Sequence, residues 1–197
     1  MSLKDQILST SRTILKREGF GKLSMRKIAR EIAVSATSIY LHFDNKDHLI
    51  HTLMEESIGE LHREMRAALE SGHGPAERVR LVAEVYVTFG LEHPQEYEVL
   101  FMVRPEEMPR YPKEKFRKAR IGYEMLADEI HKGVEAAIFE KRDPVSAAYS
   151  LWAQLHGIVS VILNRRLDTR VDQNDFIKTS IDTIVDGLLI RDRIPAN

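Results

Sequence analysis

Three helix starts crowd into residues 24 to 45, and no other feature of this 197-residue chain restricts its fold as tightly. Ser24 stands as N-cap before Met25-Arg26-Lys27-Ile28-Ala29-Arg30-Glu31-Ile32, in which Ile28 and Ile32 recur one turn apart on an inner face. Ser35 is the next cap and opens a short helix through Ile39 and Tyr40. Asn45 then caps a long helix that begins near Lys46. Two short helices joined by a tight turn, with small Ala29 at their packing point, have the geometry of a helix-turn-helix.

The remainder reads as helix as well. Leu3, Ile7, Ile14 and Leu15 recur at helical spacing behind Ser2, with Asp5 three residues on and Gly19 placed to close the helix. Pro75 opens a helix to about Glu92, and His93-Pro94 interrupts it before a short helix near Gln95 to Val103. The Pro-rich connection from Arg104 to Pro112 cannot be helical throughout. Further helices are expected from about Lys113 to Glu140, from Asp143-Pro144 to about Arg166, and from Asp172 to Arg191. No strand alternation, internal repeat or low-complexity tract occurs. The expected fold is therefore all-α with about nine helices: an N-terminal three-helix domain over 1–51 and a larger helical bundle over 52–197.

Charge divides at the same place. Residues 1–51 hold nine Lys+Arg against five Asp+Glu, leaving 20 against 25 for the rest of a chain whose net charge is -1. A basic front suits phosphate attraction, although a solvated helix face would show the same excess. With 43% hydrophobic and 30% charged residues the composition is that of a soluble globular protein. No apolar run is expected to reach the about 20 residues that span a bilayer, and no signal-type start is visible. A cytoplasmic protein with no membrane partner is the expectation. The absence of cysteine removes disulfides, thiolate metal sites and a cysteine nucleophile.

The second short helix presents Ser35, Ala36, Thr37 and Ser38 near its start, all small or polar enough to let backbone and hydroxyls approach DNA in the major groove. Tyr40, His42, Lys46 and the positive end of the fourth helix can donate to phosphate oxygens. Ile39 and Phe43 face inward as core. Gly19-Phe20, Leu23-Ser24-Met25-Arg26-Lys27-Ile28-Ala29, Val34-Ser35, Tyr40, His42, Phe43, Lys46 and Leu49 together resemble the TetR family of transcriptional regulators. That resemblance implies a homodimeric repressor on a palindromic operator in double-stranded DNA, released when a small molecule of unknown identity, largely apolar, occupies the C-terminal domain. It also implies that Arg26, Ser35 to Ser38 and Leu41 lie nearest the base edges, while Ser24, Tyr40, His42 and Lys46 hold phosphates. Two positions depart from the family: Ala33 stands where glycine is usual in the turn, and Thr37 where glycine is common. A left-handed alanine at 33 would cost about 1 to 2 kcal/mol.

In the body, Leu151-Trp152-Ala153-Gln154-Leu155-His156-Gly157 resembles the Trp-x-x-x-His-Gly element of one C-terminal domain type in that family. Trp152 and His156, four apart, either line an effector cavity or pack as core, and Gly157 permits close helix approach. Phe89, Tyr97, Phe101, Met102, Tyr123 and Leu126 are further candidate pocket walls, each with the same core alternative. Val159, Ile162, Leu163, Ile177, Ile181, Ile184, Leu188 and Leu189 give the last two helices broad apolar faces, suited to a four-helix dimer interface or to burial within one chain.

Enzyme readings find little support. Neither a His-Glu-x-x-His, a phosphate-binding loop, a Gly-x-Gly-x-x-Gly nor a Gly-x-Ser-x-Gly elbow is present, and His48 with His51 lies where the fourth helix packs or meets DNA. No catalytic residue, cofactor or metal is expected. Two other readings stay open: a DNA-binding protein whose body is a protein-interaction module without a small-molecule effector, and a small-molecule-binding bundle whose basic front is incidental.

Overall fold

The computed structural model describes residues 1–101 and 113–190, and Met102 and the Pro-rich connection of 104–112 lie outside them. Among the described residues are nine α-helices and one 3-10 turn, Phe20–Lys22, with no strand. The helices are α1 (Leu3–Glu18), α2 (Met25–Glu31), α3 (Ala36–Tyr40), α4 (Lys46–Ser71), α5 (Pro75–Glu92), α6 (Pro94–Phe101), α7 (Lys113–Glu135), α8 (Pro144–Leu163) and α9 (Gln173–Asp186).

Local chemistry sets the starts. Ser2 and Asp5 form a reciprocal capping box on α1, and Gly19 ends that helix at φ 81°, a conformation that costs glycine nothing. Ser24 accepts from the Lys27 amide at 3.3 Å, and Ser35 from the Ser38 amide at 3.1 Å. Asn45 accepts from the His48 amide at 2.8 Å, and Asp143 from Ser146 at 2.7 Å. Asp172 accepts from the amides of Asn174 and Asp175.

The chain divides into two compact units, Met1–Gly59 with His93–Phe116 and Glu60–Glu92 with Arg117–Asn197. The expected boundary at 51/52 falls inside α4, and α6 groups with the first unit. Its core is built on Ile7, Ile14, Leu23, Ile28, Ile39, Phe43 and Leu49, with Leu100 of α6 packed against it. Each such side chain contributes roughly 1.5 to 3 kcal/mol on burial, which holds α2 and α3 in place although both are too short to persist alone. Arg17 bridges Glu18 at 2.6 Å and Glu31 at 2.5 Å, and Lys27 pairs with Glu18, tying α1 to α2.

In the second unit α5 packs on both α8 and α9, and α8 packs on α9. The last helices are shorter than expected. α7 stops at Glu135 because Phe139 folds back onto Gly133, where any Cβ would overlap the ring. α9 stops at Asp186 so that Leu188 and Ile190 can pair with Glu140 and Ile138, at 2.9 and 3.1 Å, around a Phe139–Leu189 bridge. α8 ends at Leu163, where Arg165 turns left-handed at φ 53°.

The expectation that no apolar run reaches bilayer length needs correction. α8 is a 20-residue helix without a charged side chain, long and apolar enough to cross a membrane by length and composition, and 28% of that stretch is buried. Such a helix arises as readily from a face that meets another protein surface as from one that meets lipid.

Candidate nucleic-acid interface

α2 and α3 meet through a turn in which Ala33 adopts φ 55°, so this alanine takes the left-handed conformation that is costly for any residue but glycine. Ile28, Ala29 and Ile39 face the core, and that fixes what the other sides show. Arg26 and Arg30 of α2 are exposed, as are Ser24, Ser35 and Thr37, while Ala36 and Ser38 are half-buried. Tyr40, Leu41 and His42 follow on the surface, with Tyr40 50% and Leu41 80% exposed.

The hydroxyls of Ser35 and Ser38 are 2.8 Å apart. One proton therefore lies between them, and the other is free for a phosphate or base edge. Lys46, at the first position of α4, donates to the Phe20 carbonyl at 3.3 Å and lies 4.4 Å from the centre of the Phe20 ring. Burial pushes its ammonium below the usual lysine value. All ten expected DNA contacts thus fall in or beside α2, α3 and the start of α4, each exposed or half-buried.

The expected effector residues fall into two groups. In the first unit Tyr97 is fully buried, with Phe101 4.9 Å away ring to ring. In the second, Tyr123 meets Trp152 edge-on at 5.4 Å, and Trp152 stacks on His156 at 5.3 Å. Tyr149, which the sequence reading did not single out, stacks on Tyr123 at 4.6 Å; its signal was its place one turn before Trp152 on α8. Burial lowers the pKa of His156, favouring neutral imidazole. Phe89 and Leu126 are buried, and Met102 lies outside the described residues.

Residues 7–53 match the family model described as bacterial regulatory proteins, tetR family, and residues 79–184, more than half of the chain, match the tetracyclin repressor-like C-terminal domain. The chain belongs to the TetR family. An HTH-type transcriptional regulator of Saccharopolyspora erythraea is 35% identical over 80 residues, 41% of this chain and 31% of that protein. An uncharacterized HTH-type regulator of Haemophilus influenzae is 48% identical over 48 residues, 24% of this chain and 26% of that protein. The chain thus aligns with about a quarter to a third of these relatives' length.

Among solved structures, a protein of unknown function from Rhodococcus sp. RHA1 matches with a TM-score of 0.86 at 22% identity, covering 96% of this chain and 97% of that one. The ketosteroid transcriptional regulator KstR2 of Mycobacterium tuberculosis matches at 0.71 and 16% identity, covering 96% of each chain. The fatty acid degradation regulator FadR of Bacillus halodurans matches at 0.73 and 17%, covering 92% and 94%. These likenesses establish the fold. A TetR-family chain is a transcriptional regulator with a DNA-binding helix-turn-helix, and its family is one of regulators rather than enzymes.

Val159, Ile181, Ile184 and Leu188 are buried within the chain, while Ile162, Leu163, Ile177 and Leu189 are half-buried. Between the two helices runs a groove of about 670 Å³ lined by Gly157, Ile158, Val161, Phe176 and Thr179, among others. Gly157 has nothing within 4 Å of where a Cβ would sit. Among the described residues no helix uses the close approach that this glycine permits.

Proposed function

We propose that the protein is a homodimeric repressor that holds a palindromic operator and leaves it when a small, largely apolar ligand occupies the body. The observation that carries the DNA half is the exposure of Arg26 on α2, of Ser35 and Thr37 at the start of α3 and of Leu41 and His42 just after it, while Ile28 and Ile39 of the same two helices are locked in the core. Arg26, Ser35, Ala36, Thr37, Ser38 and Leu41 lie nearest the bases in this reading, with Ser24, Tyr40, His42 and Lys46 on phosphates. Residues 1–51 form the DNA-binding domain, and 52–197 bind effector and partner.

Dimerisation is supported by α8, which carries no charge over 20 residues and leaves much of its length unburied. A second copy laid on the α8–α9 groove would cover it and use the open face of Gly157. The ligand half rests on the aromatic group of Tyr123, Trp152 and His156, which offers flat apolar surface beside an imidazole. It is further supported by the similar folds of a ketosteroid regulator and a fatty acid degradation regulator. A role on DNA makes the protein cytoplasmic.

Selection of bound duplexes from a random pool, followed by sedimentation of the complex, tests this reading. A two-fold symmetric sequence held by two chains is expected. Recovery of no preferred sequence, or of one chain per site, refutes it.

A further inference from the structure

We propose that Phe20 is a positioning residue of the DNA site, its ring and carbonyl holding the Lys46 ammonium where a backbone phosphate docks. The inference rests on the reading that this chain binds DNA with Lys46 on a phosphate. Gly19 at φ 81° throws the chain out of α1 into the 3-10 turn, and Phe20 lands packed against the core of the first unit. The Lys46 ammonium lies over its ring, 4.4 Å from the centre, and donates to its carbonyl at 3.3 Å. Core, ring and ammonium are thus stacked in that order.

The charge balance gives this arrangement its meaning. Lys27 and Arg17, nearby cations of the same unit, are spent on the carboxylates of Glu18 and Glu31. A ring and a carbonyl hold a cation without neutralising it, because the ring offers a quadrupole and the carbonyl a dipole. Lysine has three donors, so two remain after Phe20 takes one. The long side chain is therefore held in place before DNA arrives without being paired to a carboxylate by these contacts, and less ordering remains to oppose binding. Ser24, another phosphate contact in this reading, lies four residues beyond Phe20 as the exposed N-cap of α2, so the segment from Phe20 to Ser24 supports one phosphate contact and supplies a second.

The experiment measures affinity of the full chain for a selected duplex across salt concentrations. The variants are Phe20→Leu, Lys46→Ala and the pair, together with wild-type chain carrying phenylalanine of increasing fluorination at position 20. Fluorine keeps the ring's shape and weakens its quadrupole, so a loss along that series is not a folding effect. Phe20→Leu is expected to weaken binding to all duplexes alike, by about three-fold per half-site and roughly ten-fold for a dimer, with an unchanged salt slope. It should have no further effect once Lys46 is alanine, and affinity should fall with each fluorine while the melting temperature holds. A flat fluorine series, or an equal loss from Phe20→Leu in both backgrounds, overturns the positioning role while leaving DNA binding intact. Wild type that binds no duplex, or a Lys46→Ala chain that binds like wild type, removes the reading beneath it as well.

Discussion

The Val34 amide donates to the Ala29 carbonyl at 2.9 Å, closing α2 across a turn whose pivot is Ala33 at φ 55°. This bond sets where α3 begins and therefore how Ser35 to Ser38 are presented. The chain reaches it only by holding Ala33 in the left-handed region, at a cost of about 1 to 2 kcal/mol.

Ala33→Gly should relieve that strain. Ala33 is exposed, so no packing is lost, while the more flexible unfolded chain takes back about 0.4 to 1 kcal/mol. A net gain of about 0.5 to 1 kcal/mol should raise the melting temperature by ~1 to 4 °C. Ala33→Val should lower it, since a branched side chain tolerates positive φ worse. Thermal unfolding of the two variants checks the pair, and a melting temperature lowered by glycine would refute the argument.

Gly133→Ala should act oppositely, by steric overlap rather than strain. The Phe139 ring occupies the place of a Cβ, and the ring is itself 1% exposed. Either α7 or the Ile138–Glu140 segment must shift, breaking the pairing with Leu188 and Ile190. A loss of ~1 to 3 kcal/mol is expected in denaturant unfolding. Adding Phe139→Ala should cost much less in this background than in wild type, because the two residues contend for one space. Additive losses would show that they do not.

That contact also marks where the sequence stops being legible. Caps, proline starts and the apolar period are local signals, so Ser2, Ser24, Ser35, Asn45, Pro75, Asp143 and Asp172 each announce a helix that forms. The early ends of α7 and α9 go with a meeting of residues 139 and 189, far apart in the chain; Gly187, the C-cap of α9, is a local stop signal beside Asp186, whereas Glu135 has no such glycine after it. The candidate DNA face follows the same division. The exposure of its residues is legible because α2 and α3 turn Ile28 and Ile39 inward, whereas Phe20 beneath Lys46 and Tyr149 against Tyr123 are products of packing.

Stability should fall on mild acidification through His62. Burial, with Arg66 adding to it, lowers its pKa to about 4, and a Cβ on Gly122 of α7 would lie 3.3 Å from its Nε2. The unfolded chain takes up a proton near pH 6.5 while the folded chain does not until about 4, so stability is full above pH 6.5 and drains away between these values. With screening reducing the ideal 1.36 kcal/mol per unit, a loss of about 2 kcal/mol is expected. His156, lowered by burial as well, works in the same direction. His62→Gln should flatten this limb in denaturant titrations at pH 7, 5.5 and 4.5, and an unchanged limb would assign it elsewhere.

DNA binding should be salt-steep, with the two cations separable. Lys46→Ala should weaken all duplexes alike and reduce the salt slope by about 1 per contact in each subunit. Arg26→Ala should cost ~1 to 3 kcal/mol at one base position and relax selection there, if its guanidinium meets a guanine edge. Repeating the duplex selection with each variant checks the assignment. Changed base preference with Lys46→Ala, or a uniform loss with Arg26→Ala, would exchange their roles.

Ligand should release DNA by changing the spacing of the two recognition helices rather than by blocking them. α4 begins at Lys46 beside the DNA face and runs unbroken to Ser71, so a tilt of this one helix would carry the reading head with it. Half-sites on a duplex repeat at about 34 to 36 Å or its multiples, and a small change at each subunit takes both off that spacing. Reciprocity then fixes the measurement. Whatever factor the ligand removes from operator affinity, operator must remove from ligand affinity. With a small apolar compound found by thermal-shift screening as the probe, calorimetry should show weaker ligand binding when the operator duplex is present. Equal affinities in the two titrations would refute allosteric release, and tighter binding on DNA would make the ligand a co-repressor, because linkage allows no other sign.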